Sequence, residues 1–226
     1  MAKGTLYIIS TPIGNLADIS FRALDTLKKC GLILSEDTRE TAKILQKYGI
    51  FVSQISYRDQ NHERVYPEII ARLLNGEDIS LISDSGTPLI SDPGFKLVRK
   101  VLEENINVCS IPGPSALVSA LVVSGLPTDK FSFLGFLPKT NNQIKKLLVD
   151  YGKLDSTLII YESPMRLLKL LNTILETLGN RTICLASDMT KVYEKYFRGK
   201  TSEVIKELGD KKPKGEYVVL IAKEGY

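Results

Sequence analysis

The sequence has few of the residues that metal and triad chemistry use. Its 226 residues include one histidine, His62, no tryptophan, and three widely separated cysteines, Cys30, Cys109 and Cys184. One histidine without paired cysteines excludes a histidine-ligated metal cluster. An odd, scattered set of cysteines is typical of reduced thiols and not of a disulfide framework or a zinc site. No metal is therefore expected.

Several nucleotide and hydrolase motifs are also missing. No Gly-rich segment matches G-x-G-x-x-G, and Gly199-Lys-Thr201 lacks the earlier glycine of a P-loop, because position 194 is glutamate. Thr201 is predicted to cap a helix instead. No G-x-S-x-G elbow is present, so neither Ser85 nor His62 indicates a hydrolase triad.

Long apolar runs are absent as well. No segment approaches the roughly 18 apolar residues of a membrane span, and the N-terminus has no apolar region typical of a secretory signal. A cytoplasmic protein without a membrane partner is expected. The net charge of +4 permits a polyanionic partner but does not require one.

Three short Gly/Pro-rich breaks are the most informative feature that is present. They occupy residues 11–15, 84–88 and 112–116, and each follows a short apolar run that reads as a buried strand. In open α/β sheets, ligands bind at the carboxyl ends of the strands. The breaks therefore predict a pocket built mainly from main chain. Residues 84–94 hold more Asp, Pro and Gly than a simple connection requires.

Strand-like and helix-like segments alternate through the first half of the chain. Strands are predicted over 6–10, 32–35, 79–83 and 108–111. The intervening helices have start signals at Ser20, at Asp37 or Thr38, and at the Asp92-Pro93 pair. This β-α alternation predicts an α/β fold with a mostly parallel sheet covered on both faces.

The pattern changes at residues 124–139, which are rich in glycine, proline and phenylalanine. We predict a linker there, between an α/β domain at 1–123 and a mixed α+β domain at 140–226. The second half has strand-like segments at 157–161, 182–187, 192–198 and 217–222. The last two alternate in polarity and are predicted to be antiparallel and half-exposed.

Two acid-and-arginine segments follow predicted strands. They are Glu36-Asp-Thr-Arg39 and Tyr161-Glu-Ser-Pro-Met-Arg166. A helix cap explains part of each segment. An arginine in the first helical turn opposes the helix dipole, which indicates an anionic partner such as phosphate. Chemistry that needs few side chains, such as group transfer from an activated nucleoside-type donor, fits the pocket and these segments best.

Seven segments together resemble the ribosomal RNA small subunit methyltransferase I family, a member of the tetrapyrrole methylase superfamily. They are residues 6–16, 35–39, 83–94, 112–117, 133–138, 161–164 and 214–218. The resemblance implies a two-domain class III methyltransferase fold and a homodimer. It also implies 2′-O-methylation of a cytidine in the decoding region of 16S rRNA in the 30S subunit.

The resemblance further implies that S-adenosyl-L-methionine is held between the two domains. The residues expected to contact it in the first part of the chain are Pro12, Gly14, Asp84, Gly86, Thr87, Pro88, Ile90, Ser115 and Ala116. From the second domain, the expected contacts are Tyr161, Asp188, Gly215 and Glu216.

A ribose hydroxyl is a poor nucleophile until it loses its proton, so a base or electrostatic help is expected. The family's two histidines are missing from Ser56-Tyr-Arg-Asp-Gln-Asn61, so a histidine base is not available there. The carboxylate candidates are Glu36, Asp37 and Glu162, and Lys191 is a candidate to stabilise the developing alkoxide. Arg39 and Arg166 are predicted to bind RNA phosphates.

Two other functions stay open at the level of the sequence. One is methylation of a tetrapyrrole or another small acceptor by the same superfamily fold. The other is a non-enzymatic RNA-binding module, which would not bind the methyl donor.

Overall fold

The computed structural model describes residues 2–209 and 212–226. It divides into two compact units, Met1–Ser115 and Ala116–Tyr226. The sequence places this boundary later, within 124–139. Each unit contains one five-stranded sheet.

The first unit is built on a parallel sheet with the strand order β3-β2-β4-β1-β5. The elements of the first unit are β1 (Thr5–Ile9), α1 (Phe21–Lys29), β2 (Leu32–Ser35), α2 (Thr38–Lys47), β3 (Gln54–Ser56), α3 (His62–Leu74), β4 (Ile79–Ile82), α4 (Phe95–Glu103) and β5 (Asn107–Ile111). A one-turn 3-10 helix at Leu16–Asp18 follows β1.

Apolar side chains cover both faces of this sheet. Ile69 of α3 and Leu97 of α4 belong to one core cluster, whereas Leu27 of α1 and Ile44 of α2 belong to the other. Strands β2 and β4 are buried along their whole length, as is expected where helices cover both faces of a parallel sheet. This confirms the α/β architecture that the sequence predicts.

The second unit holds a mixed sheet with the order β6-β7-β10-β8-β9, in which only the β6–β7 pair is parallel. Its elements are α5 (Ala116–Val123), β6 (Phe131–Phe136), α6 (Asn141–Tyr151), β7 (Thr157–Glu162), α7 (Pro164–Leu178), β8 (Thr182–Ser187), β9 (Lys195–Lys200), α8 (Thr201–Leu208) and β10 (Tyr217–Ile221).

Three features of the second unit differ from the sequence-based expectations. Strand β10 is buried at all five positions, so the prediction of a half-exposed strand is wrong. It lies between β7 and β8, where both of its faces are covered. Strand β6, within the predicted linker, forms an edge of the sheet. Helix α5 contacts β10 and is grouped with this unit.

Helix starts in the first unit agree with the sequence at two of three positions. Ser20 accepts a hydrogen bond from the N–H of the third helical residue of α1, and Asp37 caps α2. The prediction that Asp92 and Pro93 begin the next helix is wrong. The N-cap of α4 is Gly94, whose φ of +133° is rarely adopted by other residues. Asp92 therefore does not serve as a helix cap.

The start of α8 also differs from the prediction. Thr201 is the first helical residue, and the N-cap is Lys200. The carboxylate of Glu203 accepts a hydrogen bond from the N–H of Lys200 at 2.8 Å. Thr201 is fully buried and donates its hydroxyl to the carbonyl of Arg181, so it connects the helix to the sheet and does not cap it.

Candidate active site

The three Gly/Pro-rich breaks meet at one edge of the first unit. Strands β4, β1 and β5 are neighbours and parallel, so their carboxyl ends lie side by side. Thr11 and Gly86 exchange two backbone hydrogen bonds of 2.8 and 3.1 Å. The hydroxyl of Thr87 donates to the carbonyl of Pro114 at 3.0 Å and lies 2.9 Å from the hydroxyl of Ser10. We call this joined surface, residues 10–14, 84–90 and 112–115, the main-chain wall.

Glycine is required at the centre of the main-chain wall. Gly86 has a φ of +79°, and a Cβ at that position would lie 3.3 Å from the Ile13 side chain. Pro12 and Pro88 are buried, whereas Gly14 and Ile90 are exposed. The exposed part of the wall therefore includes the backbone of Gly14 and the apolar side chain of Ile90. Ser115 and Ala116, the remaining donor-site candidates here, end the first unit and begin the second.

Asp84 connects the wall to the carboxyl end of β2. Its Oδ1 accepts a hydrogen bond from the N–H of Asp37 at 2.8 Å. Asp37 in turn holds the Arg39 guanidinium through contacts of 3.0 Å to Nε and 2.5 Å to the terminal nitrogen. These hydrogen bonds keep the pKa of Asp37 well below its usual range and raise that of Arg39. Asp37 is consequently a weak proton acceptor, and the Arg39 side chain is 85% exposed.

A cavity of about 520 Å³ lies at the carboxyl ends of β2, β3 and β4. Glu36 is on its lining, and its pKa is raised by burial and by the neighbouring charge of Asp84. Asp92 also lines the cavity. Burial raises its pKa to about 6, with a lowering contribution from a hydrogen bond with Ser83 and raising contributions from Glu36 and Asp84. The complete lining is Glu36, Arg58, Asp59, Gln60, Ser91, Asp92 and Pro93.

Asp92 and Arg58 line this cavity, and neither is among the site residues that the sequence predicts. The excess of Asp, Pro and Gly in residues 84–94 is a signal for Asp92, but its position before Pro93 also predicts a helix cap. Arg58 stands in the segment where the family's histidines are missing. Its Nε donates to the carbonyl of Glu36 at 2.9 Å, so it is held at the cavity by main chain.

The site residues predicted in the second domain also come together. Tyr217, at the start of β10, pairs with Glu162 at the end of β7 and with Ser187 at the end of β8. Asp188 follows β8 directly and approaches Gly215 closely. A Cβ on Gly215 would lie 2.0 Å from Asp188 Oδ2, and its φ is +90°. Only glycine fits at this corner.

Tyr161 belongs to the same end of the second sheet. Its hydroxyl accepts a hydrogen bond from the N–H of Leu117 at 3.0 Å. Its ring packs edge-on against Phe133 and Phe136. These contacts fix the tyrosine at the start of α5.

Lys191 is held by two carboxylates. Its Nζ lies 3.0 Å from Glu216 and 3.6 Å from Asp188. Asp188 adopts a φ of +48° and accepts a hydrogen bond from the N–H of Glu216 at 3.3 Å. The positive charge of Lys191 is therefore compensated within this corner.

Glu162 is buried, with 3% of its surface exposed. Its Oε1 accepts a hydrogen bond from the N–H of Ser163 at 2.8 Å, and its Oε2 lies 3.3 Å from the Arg166 guanidinium. Arg166 also donates to the carbonyls of Leu137 and Pro138 at 3.0 and 2.7 Å. These contacts join the ends of β6 and β7 to α7.

Within residues 2–209 and 212–226, no group of three or more His, Cys, Asp or Glu side chains is arranged to hold a metal ion. No helix in the same ranges has the length and apolarity that a membrane crossing requires.

Comparison with known proteins identifies the family. The family described as Tetrapyrrole (Corrin/Porphyrin) Methylases matches residues 5–205. A protein of Thermotoga maritima named ribosomal RNA small subunit methyltransferase I is 46% identical over 97% of this chain and 98% of its own length. The chain belongs to this methylase family. The protein of the same name from Halalkalibacterium halodurans is 43% identical over 99% of this chain and 77% of its own length. The predicted resemblance is thereby confirmed.

Solved structures show the same fold at low sequence identity. Diphthine synthase superposes with a TM-score of 0.76 at 11% identity, covering 98% of this chain and 90% of its own. Uroporphyrin-III-C-methyltransferase from Thermus thermophilus superposes with a TM-score of 0.62 at 16% identity, covering 97% and 92%. The predicted two-domain methylase fold is confirmed.

Proposed function

We propose that this chain transfers a methyl group from S-adenosyl-L-methionine to the ribose 2′-hydroxyl of a cytidine in the decoding region of 16S rRNA. Membership of a methyltransferase family supports the reaction class. The shared name of the relatives, ribosomal RNA small subunit methyltransferase I, supports rRNA of the small subunit as the substrate. The joined main-chain wall is the structural observation that carries the proposal.

The main-chain wall fits a bulky nucleoside donor. Gly86 lets the turn pack closely against Ile13, because a Cβ there would lie 3.3 Å from that side chain. The hydrogen bonds of Thr87 hold the turn in place before the ligand binds, which lowers the ordering cost of binding. We assign donor contacts to Pro12, Gly14, Asp84, Gly86, Thr87, Pro88, Ile90 and Ser115 in the first unit, and to Ala116 at the start of the second unit. The predicted contacts in the second unit are Tyr161, Asp188, Gly215 and Glu216.

The donor, when bound, supplies an electrophilic methyl group on a sulfonium. The leaving group in the transfer is a neutral thioether, which departs readily. The ribose oxygen forms a bond to the methyl carbon while the carbon–sulfur bond breaks, and the electron pair of that bond remains on sulfur. The hydroxyl proton passes to a carboxylate. Alignment of the two reactants provides much of the rate acceleration in such a displacement. Glu36, Asp37 and Glu162 are the carboxylates that the sequence predicts for proton transfer, and Lys191 is the predicted alkoxide stabiliser.

The proposal is tested with labelled S-adenosyl-L-methionine, purified protein and 30S subunits, followed by mapping of ribose methylation in 16S rRNA. We expect one 2′-O-methylated cytidine in the decoding region, which is missing from rRNA of cells that lack the protein. Naked 16S rRNA in a parallel reaction shows whether the assembled subunit is required. Methylation of a base in place of a ribose would contradict the proposal.

The two alternatives are separated by further arms of the same experiment. A porphyrinoid that accepts the label while 30S subunits do not would favour a small acceptor. A calorimetric titration without any binding of S-adenosyl-L-methionine would favour a non-enzymatic RNA-binding module.

The homodimer and the cytoplasmic location are further parts of the proposal, to be tested by light scattering and by cell fractionation.

A further inference from the structure

The cavity in the first unit has a polar lining. Besides Pro93, its wall consists of carboxylates, one guanidinium, one amide and one hydroxyl. Its volume of about 520 Å³ lies within the usual range for small-ligand sites. The flat face of a macrocycle requires apolar walls, whereas the hydroxyls of a ribose can donate hydrogen bonds to carboxylates and amides. The lining therefore favours a sugar, and Arg58 is the lining residue that can contact an adjacent phosphate.

One loop belongs both to the main-chain wall and to the cavity. Residues 86–88 form part of the wall, and residues 91–93 line the cavity. The path between them is tightly constrained, because Leu89 and Ser91 have φ values of +71° and +66°. At the end of the loop, a Cβ on Gly94 would lie 2.7 Å from Leu81. The loop thus holds Asp92 at a defined position beside the surface assigned to the donor.

We propose, on the basis of the proposed function, that this cavity receives the ribose of the target nucleotide and that the Asp92 carboxylate accepts the proton of its 2′-hydroxyl. Glu36 acts as a positioning residue whose negative charge makes Asp92 a stronger base. Arg58 contacts the adjacent phosphate. Its Nε donates to the Glu36 carbonyl, and one terminal nitrogen lies 3.9 Å from the Asp37 carboxylate. A guanidinium carries five N–H donors, and those that remain suit phosphate.

The surroundings of Asp92 suit this role. The groups that act on it are Ser83 and Asp84 at the end of β4 and Glu36 at the end of β2. Together with burial they place its pKa at about 6. A base of this strength is ionised at pH 7.5 and still binds a proton more readily than an ordinary aspartate. Arg58 and Asp59, from the loop after β3, also line the cavity.

The other carboxylate candidates are less suited to accept this proton. Asp37 is bound to Arg39, which keeps its pKa low. Glu162 is buried and accepts a hydrogen bond from the N–H of Ser163. Glu36 shares the cavity and a raised pKa with Asp92. Asp92 differs from Glu36 because it is joined to the main-chain wall by a few constrained residues.

The test compares Asp92→Asn, Asp92→Glu and the control Asp25→Asn, which removes an exposed carboxylate on α1. Single-turnover methylation of 30S subunits is measured with excess enzyme, together with calorimetric binding of S-adenosyl-L-methionine. We expect D92N to slow the reaction by more than about 100-fold, while donor affinity changes less than about threefold. D92E should recover part of the rate, and D25N should match wild type.

The pH profile of the wild-type reaction gives a second, independent readout. The single-turnover rate should rise with pH up to about 6 and then level off, as the titration of Asp92 requires. A rate that continues to rise from pH 6 to 9 without a bend would overturn the assignment, as would a D92N variant with wild-type rate. If wild type itself does not methylate 30S subunits, it is the proposed function that fails.

Discussion

The two groups of ionisable residues in this protein differ in how their charges are satisfied. In the second unit, Glu162 is buried with Arg166, and Lys191 lies between Asp188 and Glu216. In the first unit, Glu36 and Asp92 face an open cavity, and burial raises the pKa of both. Carboxylates in close ion pairs stabilise a corner of the fold, whereas carboxyls with a raised pKa beside a cavity indicate chemistry.

The largest expected effect is on the corner of the second unit. Gly215→Ala would place a Cβ at 2.0 Å from the Asp188 carboxylate and force an unfavourable φ. We expect a loss of about 3 kcal/mol in the free energy of unfolding, measured by urea denaturation. Gly209→Ala is the control, because its φ is +63° but its Cβ would meet no described atom within 4 Å. Equal losses in the two variants would show that the corner is not tightly packed.

The next effect concerns the buried ion pair. Glu162→Gln removes the charge that faces Arg166, and we expect a loss of about 2 kcal/mol in the free energy of unfolding. The matched control is Glu176→Gln, because Glu176 pairs with Lys145 at 3.0 Å on the surface and should contribute about 0.5 kcal/mol. If E162Q kept its stability but lost methyl transfer, Glu162 would have a catalytic role and not the structural role expected here.

A smaller effect is expected at the main-chain wall. Gly86→Ala introduces a Cβ at 3.3 Å from Ile13 and disfavours the observed φ. We expect the dissociation constant of S-adenosyl-L-methionine to rise about tenfold, or about 1.4 kcal/mol, in calorimetric titration. Gly49→Ala has a similar backbone strain at φ +61° without a described neighbour within 4 Å, and it should bind normally. Wild-type affinity in G86A would exclude this turn from the donor site.

A further effect is the pH dependence of stability at Asp92. Its folded pKa of about 6 lies above the unfolded value, so ionisation destabilises the folded state as the pH rises. Wild type should therefore lose stability between about pH 4 and 6 relative to D92N. At pH 8, D92N should be more stable by up to about 3 kcal/mol, because a pKa raised from 3.8 to about 6 corresponds to that free energy, and at pH 3.5 the two should be nearly equal. Thermal unfolding of both proteins across this range measures the difference, and parallel curves would contradict the raised pKa.

Local patterns were sufficient for much of the fold. The short apolar runs and the caps at Ser20 and Asp37 depend on neighbours within a few residues, and these predictions are confirmed. The half-exposed assignment of residues 217–222 is wrong, because Tyr217–Ile221 is a continuous apolar run, which is typical of a strand buried on both faces. The sequence does not show that β10 lies between β7 and β8.

The candidate site, like the fold, is only partly predictable from the sequence. The sequence identifies the three breaks and the family motifs, because their residue types and order lie in the chain itself. Only the tertiary structure shows that Thr11 and Gly86 are hydrogen-bonded and that Thr87 reaches Pro114. It also shows that Asp92 lines a cavity together with Glu36 and does not cap a helix. The pKa of Asp92 depends on burial and on charges at the ends of β2 and β4, and tertiary packing alone brings these together.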